Sequence, residues 1–182
     1  MRRLTLHAAL IAALLLVFGA GTYALADGGK RNIKSDDMSG YLEAPPVSSV
    51  AQGDFRAKID DEANTVEYTL SYSGLEGDVR QAHIHFGQRS VSGGIIVWLC
   101  ETTVNPSPTG PATPDCVQSG TVTGTFGAAD VIGPAGQGIA AGEFEELVAA
   151  IRAGRTYANV HSAKFPPGEI RGQLNDRNQR DD

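Results

Sequence analysis

Once an N-terminal leader is set aside, only three histidines remain in this chain, His83, His85 and His161. They occupy two short stretches, Ala82-His83-Ile84-His85-Phe86 and Tyr157-Ala158-Asn159-Val160-His161. A His-x-His pair with a third imidazole from a distant segment presents neutral ring nitrogen, the donor that zinc and copper both accept. The spacing permits this chemistry without demanding it, because imidazoles on a strand also serve as hydrogen-bonding groups toward Asn159, Glu169 or the backbone. A fourth ligand would come from water, Glu169 or a partner group. Binding would weaken below about pH 6.5, where an ordinary imidazole takes up a proton.

Residues two apart share a face of a strand. Ala82, Ile84 and Phe86 then point one way and His83 and His85 the other. Ala158 and Val160 oppose Asn159 and His161, and Ile170 and Leu174 oppose Glu169, Arg171 and Gln173. If the three strands are neighbours, Ile84, Val160 and Ile170 face the core. The opposite face gathers three imidazoles with Asn159, Glu169, Arg171 and Gln173 as supporting groups.

No other motif competes. Gly133-Pro134-Ala135-Gly136-Gln137-Gly138 lacks the Lys and the Ser or Thr of a phosphate-binding loop, and no Gly-x-Ser-x-Gly elbow occurs. No catalytic residue is assigned. Trp98, within Ile95-Ile96-Val97-Trp98-Leu99, reads as a core or inter-sheet residue.

The elements that must carry these residues are short. Alternating or β-branched stretches at 51–59, 65–72, 79–86, 94–100, 117–126, 156–161 and 169–174 are separated by turn residues such as Asp60-Asp61, Gly93-Gly94 and Pro166-Pro167-Gly168. One segment has helical spacing instead: Phe144, Leu147, Val148 and Ile151, followed by Gly154 at a C-terminal cap position. Seven strands and one helix predict an antiparallel, Greek-key-like β-sandwich.

At 182 residues, 41% hydrophobic and 20% charged, the chain suits a single globular domain. Arg2 and Arg3, the apolar run from Ala8 to Phe18 and Ala24-Leu25-Ala26 have the pattern of a secretory signal peptide over 1–26. Residues 27–47 read as a linker, 48–174 as the domain and 175–182 as a disordered polar tail. Removing 1–26 leaves 13 basic and 21 acidic side chains, a net charge of −8 that disfavours nucleic acid and anionic lipid. Export to an oxidising compartment predicts that the only two cysteines, Cys100 and Cys116, form a disulfide.

Four stretches carry a family resemblance: Ala82-His83-Ile84-His85-Phe86-Gly87, Gly93-Gly94-Ile95-Ile96-Val97, Tyr157-Ala158-Asn159-Val160-His161-Ser162 and Pro167-Gly168-Glu169-Ile170-Arg171-Gly172-Gln173-Leu174. Across about Ser48 to Leu174 the chain resembles a CHRD domain, the module named from chordin. The resemblance implies a secreted, mostly β domain, found singly in bacterial exported proteins, with no established catalytic activity. The Cys100 to Cys116 loop departs from the typical pattern. More weakly, the His-x-His strand resembles the copper-binding strand of copper/zinc superoxide dismutase, whose pattern needs more histidines than are present here.

Two functions follow as expectations. The first is a periplasmic or secreted non-enzymatic module binding an unidentified protein or matrix component, with the histidine face as a structural or recognition surface, and with neither nucleic acid nor, after cleavage, membrane as partner. The second is a copper or zinc protein using His83, His85 and His161, with Arg171 steering an anion.

Overall fold

The computed structural model describes residues 31–35, 37–109 and 113–176. The expected leader, and the tail beyond 176, lie outside the described residues. Among the described residues nine strands form one antiparallel sheet: β1 (Arg31–Ser35), β2 (Met38–Ser39), β3 (Gln52–Asp60), β4 (Thr65–Ser73), β5 (Val79–Phe86), β6 (Gly94–Cys100), β7 (Gly120–Gly127), β8 (Thr156–Ser162) and β9 (Ile170–Asp176). Among the described residues there is one α-helix, α1 (Phe144–Arg152), which precedes β8.

The strands follow the order β6-β5-β8-β9-β1-β3-β4-β7, with β2 bridging β3 and β9. The sheet bends back on itself as a sandwich: the Tyr68 hydroxyl on β4 donates to the Leu99 carbonyl on β6, although the two strands lie far apart along the order. The Ile132 amide closes the same side, donating to the Ile96 carbonyl at 2.9 Å. Between the halves, Phe55, Leu70, Ile84, Leu99, Val160 and Ile170 are fully buried. The apolar stripe of α1, Phe144, Leu147, Val148 and Ile151, joins the same core.

Ile84, Val160 and Ile170 all face inward, as the alternation predicts. Register follows from this, because a slip of one residue would exchange the faces. Pairing sets His83 opposite Asn159, and Asn159 opposite Arg171, so β5, β8 and β9 are neighbours.

Two expectations need correction. Residues 27–47, read as a linker, supply β1 and β2; β1 is inserted between β3 and β9, so the folded unit starts well before Ser48. At the other end β9 runs to Asp176, so Asn175 and Asp176 belong to the sheet rather than to a tail. Their side chains offer no apolar burial signal, and β1 is held instead by main-chain pairing on both of its edges, which sequence periodicity does not report.

Cys100 and Cys116 are joined in a disulfide with Cα atoms 4.9 Å apart. It closes a loop also fastened by Cys116 N–H to the Glu101 carbonyl at 2.8 Å. Reduction should therefore lower stability by about 3 kcal/mol through the entropy returned to the unfolded chain. Urea titration with and without reductant measures the difference, and identical midpoints would show that the bond constrains nothing.

Candidate metal centre

On β5 and β8, His83 and His85 face Asn159 and Tyr157, and His161 lies diagonally beyond Asn159 opposite Gln81. The β5 to β6 register shifts just before His83 and again just before His85, irregularities of the kind that re-aim side chains. The result brings all three imidazoles together. One ring nitrogen from each can be chosen so that the three lie within 4.8 Å of one another. His83 Nδ1 and His161 Nε2 are 3.0 Å apart.

Two backbone carbonyls decide where the lone pairs are. His85 Nδ1–H donates to the Gly93 carbonyl at 2.9 Å, and His161 Nδ1–H to the Pro166 carbonyl at 2.9 Å. Each ring is then left with an unprotonated Nε2, the arrangement that outer carbonyls commonly impose on metal-binding histidine. His161 Nε2 can accept from His83 Nδ1–H. That leaves His83 Nε2 and His85 Nε2 buried without a hydrogen-bond partner. Leaving a buried polar atom unpaired costs about 1–3 kcal/mol, so two in one cluster call for a reason.

Gly93 is essential to this geometry: a Cβ there would sit 1.7 Å from the Phe86 carbonyl oxygen. Gly168, at φ +140°, lets the turn after Pro166 and Pro167 press against Asn159 and Glu43. Both glycines read as turn residues in the sequence, and their positioning role emerges only in three dimensions.

The face opposite the core is not open to solvent. His83 is fully buried, His85 is 7% exposed and His161 5%. Residues 40–46 and the 87–93 loop cover it. The Ser92 hydroxyl ties these two segments together by donating to the Ala44 carbonyl at 2.9 Å. Arg171 donates to the Val91 and Gln88 carbonyls at 3.1 Å, and Gln173 to the Gly87 carbonyl at 2.9 Å. The expected recognition surface is therefore an interior polar layer, and a macromolecular partner cannot touch its imidazoles.

Of the expected supporting groups, Asn159, Arg171 and Gln173 take part in that layer. Asn159 donates to Glu43 Oε1 at 2.6 Å and to the Ile170 carbonyl at 2.9 Å. The Arg171 guanidinium lies 3.5 Å over the Tyr157 ring, which stacks in parallel on His85 with centroids 4.9 Å apart. Glu169 turns elsewhere: its Oε1 accepts from Ser49 Oγ and the Glu76 amide, both at 2.7 Å, and it is not in the imidazole cluster. Trp98 is not a core residue. It lies on the histidine side, edge-on to His83 at 4.4 Å. Glu43 was missed by sequence reasoning because it sits in a segment without periodicity. A cleft of about 460 Å³ beside the layer is lined by residues including Tyr41, Glu43, Arg89, Arg171 and Gln173, and by none of the histidines.

Burial sets the charge states. It pushes His85 and His161 down to about 4, against the opposing hydrogen bonds to Gly93 and Pro166. It pushes His83 further below the ordinary imidazole value, helped by His161 and His85. Burial also raises the Glu43 carboxyl to about 7, although Arg171 and Asn159 pull the other way. At neutral pH the cluster is three uncharged imidazoles.

These shifts have opposite signs for stability. In metal-free protein near pH 5.5, unfolding lets three imidazoles take up protons while Glu43 releases one, a net uptake of two. The histidine contribution is complete above about pH 6.5 and is lost as pH falls toward 4, at a net slope on the order of 2–3 kcal/mol per pH unit. Urea midpoints at pH 7, 6 and 5 should fall in step. Midpoints that stay level or rise on acidification would mean that the imidazoles are not held neutral.

Comparison with known proteins identifies a family. No curated protein and no solved structure matches the chain. The CHRD domain family matches residues 35–174, covering the histidine strands, the Gly93 loop, the Gly168 turn and β9 up to Leu174. CHRD domains occur in extracellular proteins. By the extent of that match, the chain belongs to the CHRD domain family.

Proposed function

We propose that this chain is an exported, non-enzymatic CHRD-domain module that holds one copper or zinc ion on His83, His85 and His161. A single observation carries the reading: three buried neutral imidazoles converge, and two of their nitrogens have no partner. A cation that takes one nitrogen from each ring gives His85 Nε2 a partner and replaces the hydrogen bond between His83 Nδ1 and His161 Nε2. The donor set fits either metal, since both bind neutral imidazole. Export is supported by the leader pattern at 1–26 and by the disulfide, which persists in oxidising compartments. Among the described residues no helix is long and apolar enough to cross a membrane.

Within this reading the protein supplies positioning. Gly93 and Pro166 orient two rings, Trp98 and Tyr157 pack against two of them, and the 87–93 loop with residues 40–46 keeps solvent away. A module of this kind stores, buffers or is stabilised by its ion.

Untagged protein dialysed against copper and zinc at pH 7 should retain one ion per chain by elemental analysis. His83→Ala and His161→Gln should abolish retention and leave the far-ultraviolet circular dichroism of the sheet unchanged, because the core lies on the opposite face. Burial already keeps His85 and His161 neutral, so retention should persist to about pH 5 and fail near 4, lower than ordinary imidazole would allow. Wild-type protein that holds no stoichiometric ion at pH 7 would make the cluster purely structural.

A further inference from the structure

The identity of the ion can be narrowed, on the assumption that the imidazole cluster is a metal site. Its ligands are all neutral, and no carboxylate belongs to the cluster. Of the two acids of the surrounding layer, Glu43 is bonded to Asn159, and Glu169 through Oε1 to Ser49 and the Glu76 amide; the Oε2 of Glu169 is buried without a partner but lies outside the imidazole cluster. The one basic side chain packed into the layer is Arg171, 2% exposed and stacked on the Tyr157 ring that in turn stacks on His85. A cation entering here keeps its whole charge and meets a second positive charge nearby.

Charge magnitude then decides. The cost of removing an ion from water scales with the square of its charge, so a dication pays about four times what a monocation of similar size pays. Repulsion from Arg171 doubles as well. Zinc(II) further seeks four ligands in a tetrahedron, and the cluster supplies three. Copper(I), a closed-shell monocation that accepts three-coordinate nitrogen sites, is least penalised on each count.

We infer that the His83, His85 and His161 site selects copper(I) over zinc(II) and copper(II). The rings are held by a buried layer, so a change of coordination geometry on oxidation is resisted from all sides. A hundredfold preference for copper(I) over copper(II) corresponds to a one-electron potential raised by about 120 mV relative to the aqueous couple.

The test uses the full chain, purified without a polyhistidine tag. Copper(I) is offered anaerobically with ascorbate against a chromophoric copper(I) chelator, and zinc(II) and copper(II) are titrated in parallel against their own chelators. The expected result is one copper(I) per chain, held at least 100-fold more tightly than either dication. Trp98→Glu, which places a carboxylate beside His83 from a half-buried position on the solvent side, should narrow the gap to zinc(II) by tenfold or more. Zinc(II) or copper(II) binding as tightly as copper(I) overturns this inference and leaves the metal site standing. Failure of all three ions to bind at one per chain overturns the metal site itself.

Discussion

Burial of β8 on both faces is the constraint from which the rest of the structure follows. All seven of its residues, Thr156 to Ser162, are shielded from solvent, so the strand has no face left for water. One side meets the apolar core through Ala158 and Val160. The other carries Tyr157, Asn159 and His161, whose polar atoms must find partners inside the protein. Partners come from segments far apart in the chain: Glu43 for Asn159, the Pro166 carbonyl for His161, the Gly93 amide for the Tyr157 hydroxyl. Satisfying one strand thus recruits the N-terminal segment, the 87–93 loop and the turn before β9 into a single layer.

Within that layer pairing is incomplete at several atoms, Trp98 Nε1 and Gln173 Oε1 among them, but only at the histidines do unpaired nitrogens belong to three converging rings. A structural histidine in such surroundings would ordinarily be better replaced by an apolar residue of similar volume, because burial without pairing costs stability. The same burial that makes the cluster costly keeps it neutral and therefore able to ligate at neutral pH. Cost and capability have one cause, and the carbonyls of Gly93 and Pro166 turn it into a specific orientation of lone pairs.

Much of this was legible in the sequence. The bounds of β5 and β6 coincide with the stretches expected there, and α1 spans the residues whose apolar spacing implied it, because both signals arise from one-sided burial. The same alternation correctly set Ile84, Val160 and Ile170 inward. It failed where polar residues are buried: period two distinguishes apolar from polar, and a polar face covered by other segments reads like a solvated one. Glu43 and β1 were invisible for a related reason, since a main-chain pairing and a lone acid leave no periodic trace. Glu169 was read as the first residue of the last strand, but it lies in the bend just before β9, and its side chain answers to Ser49 and Glu76, contacts that span about a hundred residues of sequence.

Three buried imidazoles are neutral, with Nε2 of His85 and His161 unprotonated. Long-range proton–nitrogen correlation spectra of ring-labelled, metal-free protein at pH 6 observe those nitrogens directly. The account predicts Nδ1–H tautomers for His85 and His161, no imidazolium signal from the cluster, and a large shift of both Nε2 resonances on adding one equivalent of diamagnetic copper(I). Imidazolium rings at pH 6, or Nε2–H tautomers at both positions, would contradict it.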